Sequence, residues 1–499
     1  MWRRISGKLG RFAADDQGVT ALLFGILLVP LLLGIGLSID YSRALRAKQH
    51  LGNALDSAAL AVGSWVDLTE SEIAAKAQSF FDANFTPGGL GSPSALSVSF
   101  TDGVISISAT SSVQTTFMQL AGISEVTVGA FTEVTLNEKK IELVMVLDNT
   151  GSMGWSGKLT ALKNASNALL DVMIPDGGSG TSEDVRIGLV PFAAAVNIGS
   201  DKLNSGWIDV SAQSSIAGED FQPGTNVLDL YDQIQNAAWN GCVRARPVPF
   251  DTQDTPPAGG DTLWPPYFAP DEPDFYSYSN RYADDSGYSG GTYDYDARQR
   301  YTGKYNSLTI SGTSDGPDFN CRTPTVTPMT NVRASVATAI DQMVATGYTV
   351  IPAGLAWGWR LISPEAPFSE GVAYDDEDTI KAIVLLTDGQ NMVSGGMGTH
   401  NRSQYSAYGF AQAGRLGATN GSQAEQVLND KTAALCTNIK AKEIRLYTIT
   451  FQVSSGSTQD LMRDCATDPS MYYNSPSNGE LESIFQDIAK GLSDLRISK

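Results

Sequence analysis

Histidine is almost absent: His50 and His400 are the only two in 499 residues. That leaves little for zinc sites or for imidazole-based acid–base and nucleophilic chemistry. Cysteine is equally scarce. Cys242, Cys321, Cys436 and Cys465 include no CxxC spacing, which argues against a zinc ribbon. Positive charge is short too. Lys and Arg number 34 against 54 Asp and Glu, a formal charge of −20, so no basic stripe exists to neutralise phosphates and no nucleic-acid partner is expected. Neither a P-loop nor a Ser-His-Asp or Cys-His set is found. These shortages point to a binding or structural protein and not to an enzyme.

The four cysteines read either as two disulfides, Cys242–Cys321 and Cys436–Cys465, or as four buried thiols. An oxidising compartment favours the bridges. The N-terminus bears on that choice. Val19 to Ile39 reads VTALLFGILLVPLLLGIGLSI, an uncharged run about as long as a bilayer's hydrocarbon core is thick. It has no Ala-x-Ala-like cleavage site and passes directly into Asp40, Tyr41, Arg43, Arg46 and Lys48, so it reads as an anchor continuing as a helix. Arg3, Arg4, Lys8 and Arg11 precede the run, and the small basic bias favours a cytoplasmic N-terminus with the bulk of the chain periplasmic or exposed.

The stretch from Arg11 to Ala61, RFAADDQGVTALLFGILLVPLLLGIGLSIDYSRALRAKQHLGNALDSAALA, resembles the N-terminal anchor of TadE/TadG-like proteins of bacterial Flp (Tad) pilus assembly. Pseudopilin members of that family carry a Glu five residues after a processed Gly. Here Gly18 is followed at that place by Leu23, so the anchor is expected to be retained. The resemblance implies a single-pass protein of the bacterial inner membrane.

Residues 1–40 are thus expected to form a cytoplasmic tip and membrane anchor, and residues 41–137 a small α+β stalk. Within the stalk, Leu45, Leu51, Leu55, Ala58, Ala59 and Val62 keep helical spacing, and a second helix is expected over about 70–84. Leu96–Phe100 and Val104–Ser108 alternate around Asp102-Gly103 as a hairpin. A short helix at Thr115–Leu120 and a strand at Val126–Val134 follow.

Residues 138–499 alternate strand and helix. Strands are expected at 141–147, 186–192, 382–386 and 444–451, and helices at 158–173, 332–344, 352–362, 423–442 and 480–495. This pattern predicts an α/β fold with a doubly wound, mainly parallel sheet. Ligands of such sheets bind at the carboxyl ends of the strands. The apolar strand ending at Leu147 runs into Asp148, and Thr150 and Ser152 follow in a Gly-containing turn. Hard oxygens in this number suit Mg²⁺, or another divalent ion such as Ca²⁺ or Mn²⁺. Taken alone, the spacing is also that of an ordinary turn and helix cap.

Asp148-x-Thr150-x-Ser152, then Thr349, then Thr387-Asp388-Gly389, resemble in that order the metal-ion-dependent adhesion site (MIDAS) of von Willebrand factor A domains, with Thr150 for the commoner Ser. The resemblance implies that Thr150, Ser152 and Thr349 contact a metal, that Asp148 and Asp388 bind it directly or through water, and that a protein partner's carboxylate completes the shell. Residues 351–360, and Cys436 and Cys465 around the strand 444–451, resemble the corresponding segments of TadG-like proteins. Two functions follow as expectations: metal-dependent binding of a pilus or envelope partner, or a scaffold in which the domain only packs against neighbours.

A Gly-, Pro-, Asp- and Tyr-rich insertion interrupts the pattern over about 197–327. Residues 261–300 hold eight acids against three arginines, with seven tyrosines, which reads either as a recognition surface or as a solvated loop. Asp284, Asp285, Asp294 and Asp296 read either as a further Ca²⁺ site or, since their spacing matches no EF-hand, as the favoured alternative of solvated surface acids.

Overall fold

The computed structural model describes residues 16–63, 70–85, 91–101, 104–135, 139–175, 180–274, 279–312, 314–393, 399–418 and 420–497. Two compact units divide between residues 138 and 139.

The first unit begins with one continuous helix, α1 (Asp16–Gly63), which carries Pro30 in its apolar half. That half is long and apolar enough to cross a membrane, and most of the large side chains from Leu22 to Ile39 are exposed. Beyond it the composition changes and a buried stripe appears: Ala44, Ala47, Leu51, Ala54, Leu55, Ala58 and Val62. Leu45, expected on the inner face, is 45% exposed, because the stripe passes through Ala44 and Ala47. The stripe packs with α2 (Glu70–Asn84) and with Ile105 and Ile107 of an antiparallel sheet. The sheet consists of β1 (Ser97–Thr101), β2 (Val104–Gln114) and β3 (Glu125–Thr135), with Ser92–Pro93 added at one edge. β2 and β3 pair over eleven positions, from Val104↔Thr135 to Gln114↔Glu125. The expected short helix at Thr115–Leu120 becomes a 3₁₀ turn at Met118–Ala121, and the Asp102-Gly103 turn lies outside the described residues.

The second unit is built on a six-stranded sheet. Its elements in chain order are β4 (Lys140–Asp148), α3 (Lys158–Met173), β5 (Val185–Phe192), β6 (Thr327–Thr330), α6 (Arg333–Gln342), α7 (Ile351–Ile362), β7 (Thr379–Thr387), α8 (Gly421–Lys440), β8 (Arg445–Phe451), α9 (Gly456–Cys465), β9 (Tyr472–Ser475) and α10 (Asn478–Ile497), with two short helices, α4 (Val227–Gln233) and α5 (Tyr295–Arg300), in the insertion. The strand order is β9-β8-β7-β4-β5-β6. All pairs are parallel except β5–β6 at one edge. β4 is buried on both faces, as a central parallel strand must be. Ile141, Leu143, Met145 and Leu147 meet α3, α6 and α10, while Val144 and Val146 face α7. At the opposite end of the sheet from Asp148, the buried Glu142 carboxylate accepts from Lys381 and Arg186 and from the Val372 N–H at 3.0 Å.

Sequence periodicity did not reveal β6, α9 or β9, which are four to ten residues long and polar or interrupted. The insertion is a folded lobe that joins the core on the α7 face, which replaces the reading of a solvated loop. Trp207, Phe221, Trp264, Tyr267, Phe268 and Tyr305 are all buried in it. Tyr267 therefore packs internally, Tyr282 is half-buried, and only part of the tyrosine set, Tyr293 above all, is exposed. Cys242–Cys321 and Cys436–Cys465 are both disulfide-bonded.

Candidate metal centre

Parallel strands order their carboxyl ends along one rim, and β4 and β7 are neighbours in register, Leu147 beside Leu386. Asp148 and Asp388 therefore emerge side by side. The Asp148 carboxylate is fully buried. Its Oδ1 accepts the Thr150 N–H at 2.8 Å and its Oδ2 accepts the Thr387 hydroxyl at 2.8 Å. Ser152 Oγ donates to Asp388 Oδ1 at 2.6 Å and lies 3.1 Å from Thr150 Oγ1, which is 3.5 Å from the same Asp388 oxygen. Two carboxylates and two hydroxyls thus share one small volume.

Thr349 enters from the loop before α7. Backbone bonds fasten that loop to the other two: Gly151 N–H to Gly347 O at 3.0 Å, Thr346 N–H to Asn149 O at 2.7 Å, and Met392 N–H to Thr349 O at 2.8 Å. Gly347, at φ +67°, has no room for a side chain beside Asn320. Thr349 is buried, and its Oγ1 stands 3.9 Å from where a Cβ on Gly389 would fall. The structure thus brings all five sequence-derived oxygen donors, Asp148, Thr150, Ser152, Thr349 and Asp388, to one rim.

Two residues not singled out in the sequence complete the site. Lys158 Nζ lies 2.8 Å from Asp388 Oδ2. It is the first residue of α3, behind the left-handed pair Ser156 and Gly157. A cation at a helix N-terminus opposes the macrodipole. A lysine placed against the helix dipole at that position is the sequence signal of this contact. Trp155, three residues after Ser152, is 72% exposed on the same loop.

Electrostatically the site is short of positive charge. Burial, reinforced by the neighbouring Asp388 charge, pushes the Asp148 carboxyl up to about 7, although the bonds from Thr150 and Thr387 pull it down. Burial without full compensation is the condition a divalent cation relieves, and an all-oxygen donor set with two acids and three hydroxyls fits a hard ion.

Three of the insertion aspartates weighed in the sequence have partners within the lobe. Asp285 pairs with Arg298, Asp296 with Arg300, and Asp294 caps α5. Asp274, Asp284 and Asp285 bring carboxylate oxygens within 4.8 Å of one another, a group that leaves out Asp294 and Asp296.

Residues 18–65 match the family model described as Flp pilus-assembly TadE/G-like. Among solved structures, the chain is similar to the pilus adhesin SpaC from Lactobacillus rhamnosus GG in its open conformation, at 11% identity and a TM-score of 0.34, over 80% of this chain and 33% of the adhesin. The chain therefore spans about a third of that protein's length. It is also similar to the vWF domain of the type V pili tip protein Mfa5 from Porphyromonas gingivalis, at 10% identity and a TM-score of 0.34, over 72% of this chain and 97% of that one. A third likeness is to proximal thread matrix protein 1 from the mussel byssus with a zinc-occupied MIDAS motif, at 12% identity and a TM-score of 0.30, over 72% and 47% of the two chains. No curated protein sequence matches this chain significantly.

Proposed function

We propose that this chain, a Tad-like pilus protein with a single membrane-crossing helix and a von Willebrand A-type domain, binds a protein partner through a divalent ion held on the rim of its second unit. The carrying observation is the convergence of Asp148, Thr150, Ser152, Thr349 and Asp388 from three loops, with Asp148 held above its usual range by burial and by Asp388. Thr150, Ser152 and Thr349 would hold the ion by their hydroxyls, and Asp148 and Asp388 by charge. Mg²⁺ is the ion best suited to so few protein charges. When bound, it supplies an electrophilic position for an acidic side chain of the partner. The chain's own residues orient that contact: Thr387 and the Thr150 N–H fix the Asp148 carboxylate, and Ser152 fixes Asp388.

The reading assigns no catalytic step to the chain. It places the N-terminus in the cytoplasm and the second unit outside the bacterial inner membrane, in keeping with both disulfides. The partner is a pilus or envelope component offering a carboxylate. One observation favours a metal-free scaffold instead: Lys158 already neutralises Asp388. Calorimetric titration of the full chain with Mg²⁺ and Mn²⁺ separates the two. Saturable binding that Asp148→Ala removes supports the metal reading. Absence of binding, with partner capture indifferent to chelator, supports the scaffold.

A further inference from the structure

The loop joining β2 to β3, Thr115–Ser124, reads TTFMQLAGIS and carries no charge. Its apolar side chains are not gathered into the unit's core. Leu120 is 77% exposed and Ile123 44%. The loop instead lies along α1 where that helix leaves its apolar run. A methyl group at Gly36 would fall 2.4 Å from Phe117 Cβ, so Phe117 is seated on the bare backbone of α1. Gly36 precedes the end of the run at Ile39 by three residues, a depth of about 4–5 Å along a helix axis.

Backbone donors of this loop are bonded within the first unit. The Asp40 carboxylate is buried and accepts the N–H groups of Thr116 at 3.1 Å, Phe117 at 2.7 Å and Met118 at 2.7 Å. Ile123 N–H is bonded to Met118 O and Thr115 N–H to Ser124 O. Backbone donors placed in an apolar medium require such partners. Beside the loop, Leu37, Ser38, Tyr41, Ala44, Met118 and Val126 line an open, mainly apolar groove of about 390 Å³. Further out along α1, Arg43 bonds Thr116 Oγ1 at 2.8 Å, and Arg46 and Lys48 are exposed. Basic side chains one to three turns beyond the apolar run lie at the level of lipid phosphates.

We propose that Thr115–Ser124 is a second membrane contact of this chain. It seats in the boundary between headgroups and acyl chains beside α1, with Leu120 and Ile123 turned into lipid and an acyl chain against the groove. The surface is continuous with that of the membrane-crossing segment, and the inference rests on reading residues 19–39 as that segment. The occupant is the bilayer itself. Exposed apolar side chains on a loop with satisfied backbone groups gain by transfer into that layer, and Asp40 holds the loop at the required depth.

The test uses the full chain in phosphatidylethanolamine/phosphatidylglycerol nanodiscs. All four native cysteines are in disulfides, so single cysteines can be labelled with an environment-sensitive fluorophore. Leu28→Cys reports the centre of the apolar run, Leu120→Cys the loop, and Thr101→Cys the far end of the same sheet. The expected result is strong quenching at 28 and 120 by acyl-chain nitroxide lipids, several-fold above that at 101, with 101 alone quenched by aqueous cobalt. A label at 120 that behaves as at 101, while 28 sits in lipid, overturns the second contact and leaves the anchor standing. Aqueous behaviour at both 28 and 120 overturns the anchor reading and the second contact with it.

Discussion

Lys158 Nζ and Asp388 Oδ2 stand 2.8 Å apart, the acid's side chain fully buried and the lysine's 15% exposed. The ammonium occupies the electrostatic position that a divalent ion would share. Replacing it, as in Lys158→Met, removes a competing charge a few ångströms from the ion, an effect of order 1–2 kcal/mol even when screened as in bulk water. Mg²⁺ affinity should rise roughly tenfold, while the chelated form loses stability. Calorimetry with a parallel melting curve in EDTA reads both. An unchanged or weaker affinity would place Lys158 beyond the ion's reach.

The pH dependence has a definite sign. Asp148 is pushed from 3.8 up to about 7, first by burial and then by Asp388. Between those values the folded chain holds a proton that the unfolded chain has lost. Metal-free stability from this group is therefore complete below its unfolded value and declines as pH rises toward 7. Metal must displace that proton, so Mg²⁺ should raise the melting temperature more at about pH 8 than at about pH 5.5. Asp148→Asn should abolish the difference, and equal shifts at both pH values would exclude competition at Asp148.

Glu142 supports the far end of the sheet. Glu142→Ala leaves Lys381, itself buried, without its acid, and should cost about 3–5 kcal/mol in urea unfolding. Adding Lys381→Met should restore a large part of that loss. A double variant no better than the single one would show that the pair is not coupled.

Cys242 and Cys321 are separated by 79 residues, and the bridge closes the insertion lobe. Cys242→Ser with Cys321→Ser should destabilise the second unit by about 4 kcal/mol on loop-closure grounds. Limited proteolysis should then cut first within residues 243–320. Cleavage first at the loop after Asp148 would contradict this.

Trp155 stands exposed beside the rim and supplies the large aromatic surface typical of binding hot spots. Trp155→Ala should leave Mg²⁺ affinity unchanged and weaken capture of the partner at least tenfold. Loss of metal binding would assign Trp155 to the loop's own folding instead.

Legibility followed the range of the forces involved. Asp148, Thr150 and Ser152 lie within one turn after an apolar strand, so local pattern exposed them. Thr349 and Asp388 are remote, and became legible through two further strand and loop patterns together with the resemblance. Lys158 was missed because its approach to Asp388 depends on two left-handed residues, Ser156 and Gly157. The internal packing of the insertion was not legible for a related reason. Trp207, Trp264 and Trp357 pack together at 5.1–6.1 Å between ring centres, yet they come from segments with no common period.

The long pairing of β2 with β3 carries a mechanical consequence. The chain enters the first unit through α1 and leaves it after Thr135, at the end of β3 remote from the Thr115–Ser124 loop. A pull directed along β3 would load it across eleven paired positions. Hydrogen bonds between strands loaded this way resist as a group, in shear, and do not open one at a time like a zipper. The first unit is thus suited to bear a load directed along β3.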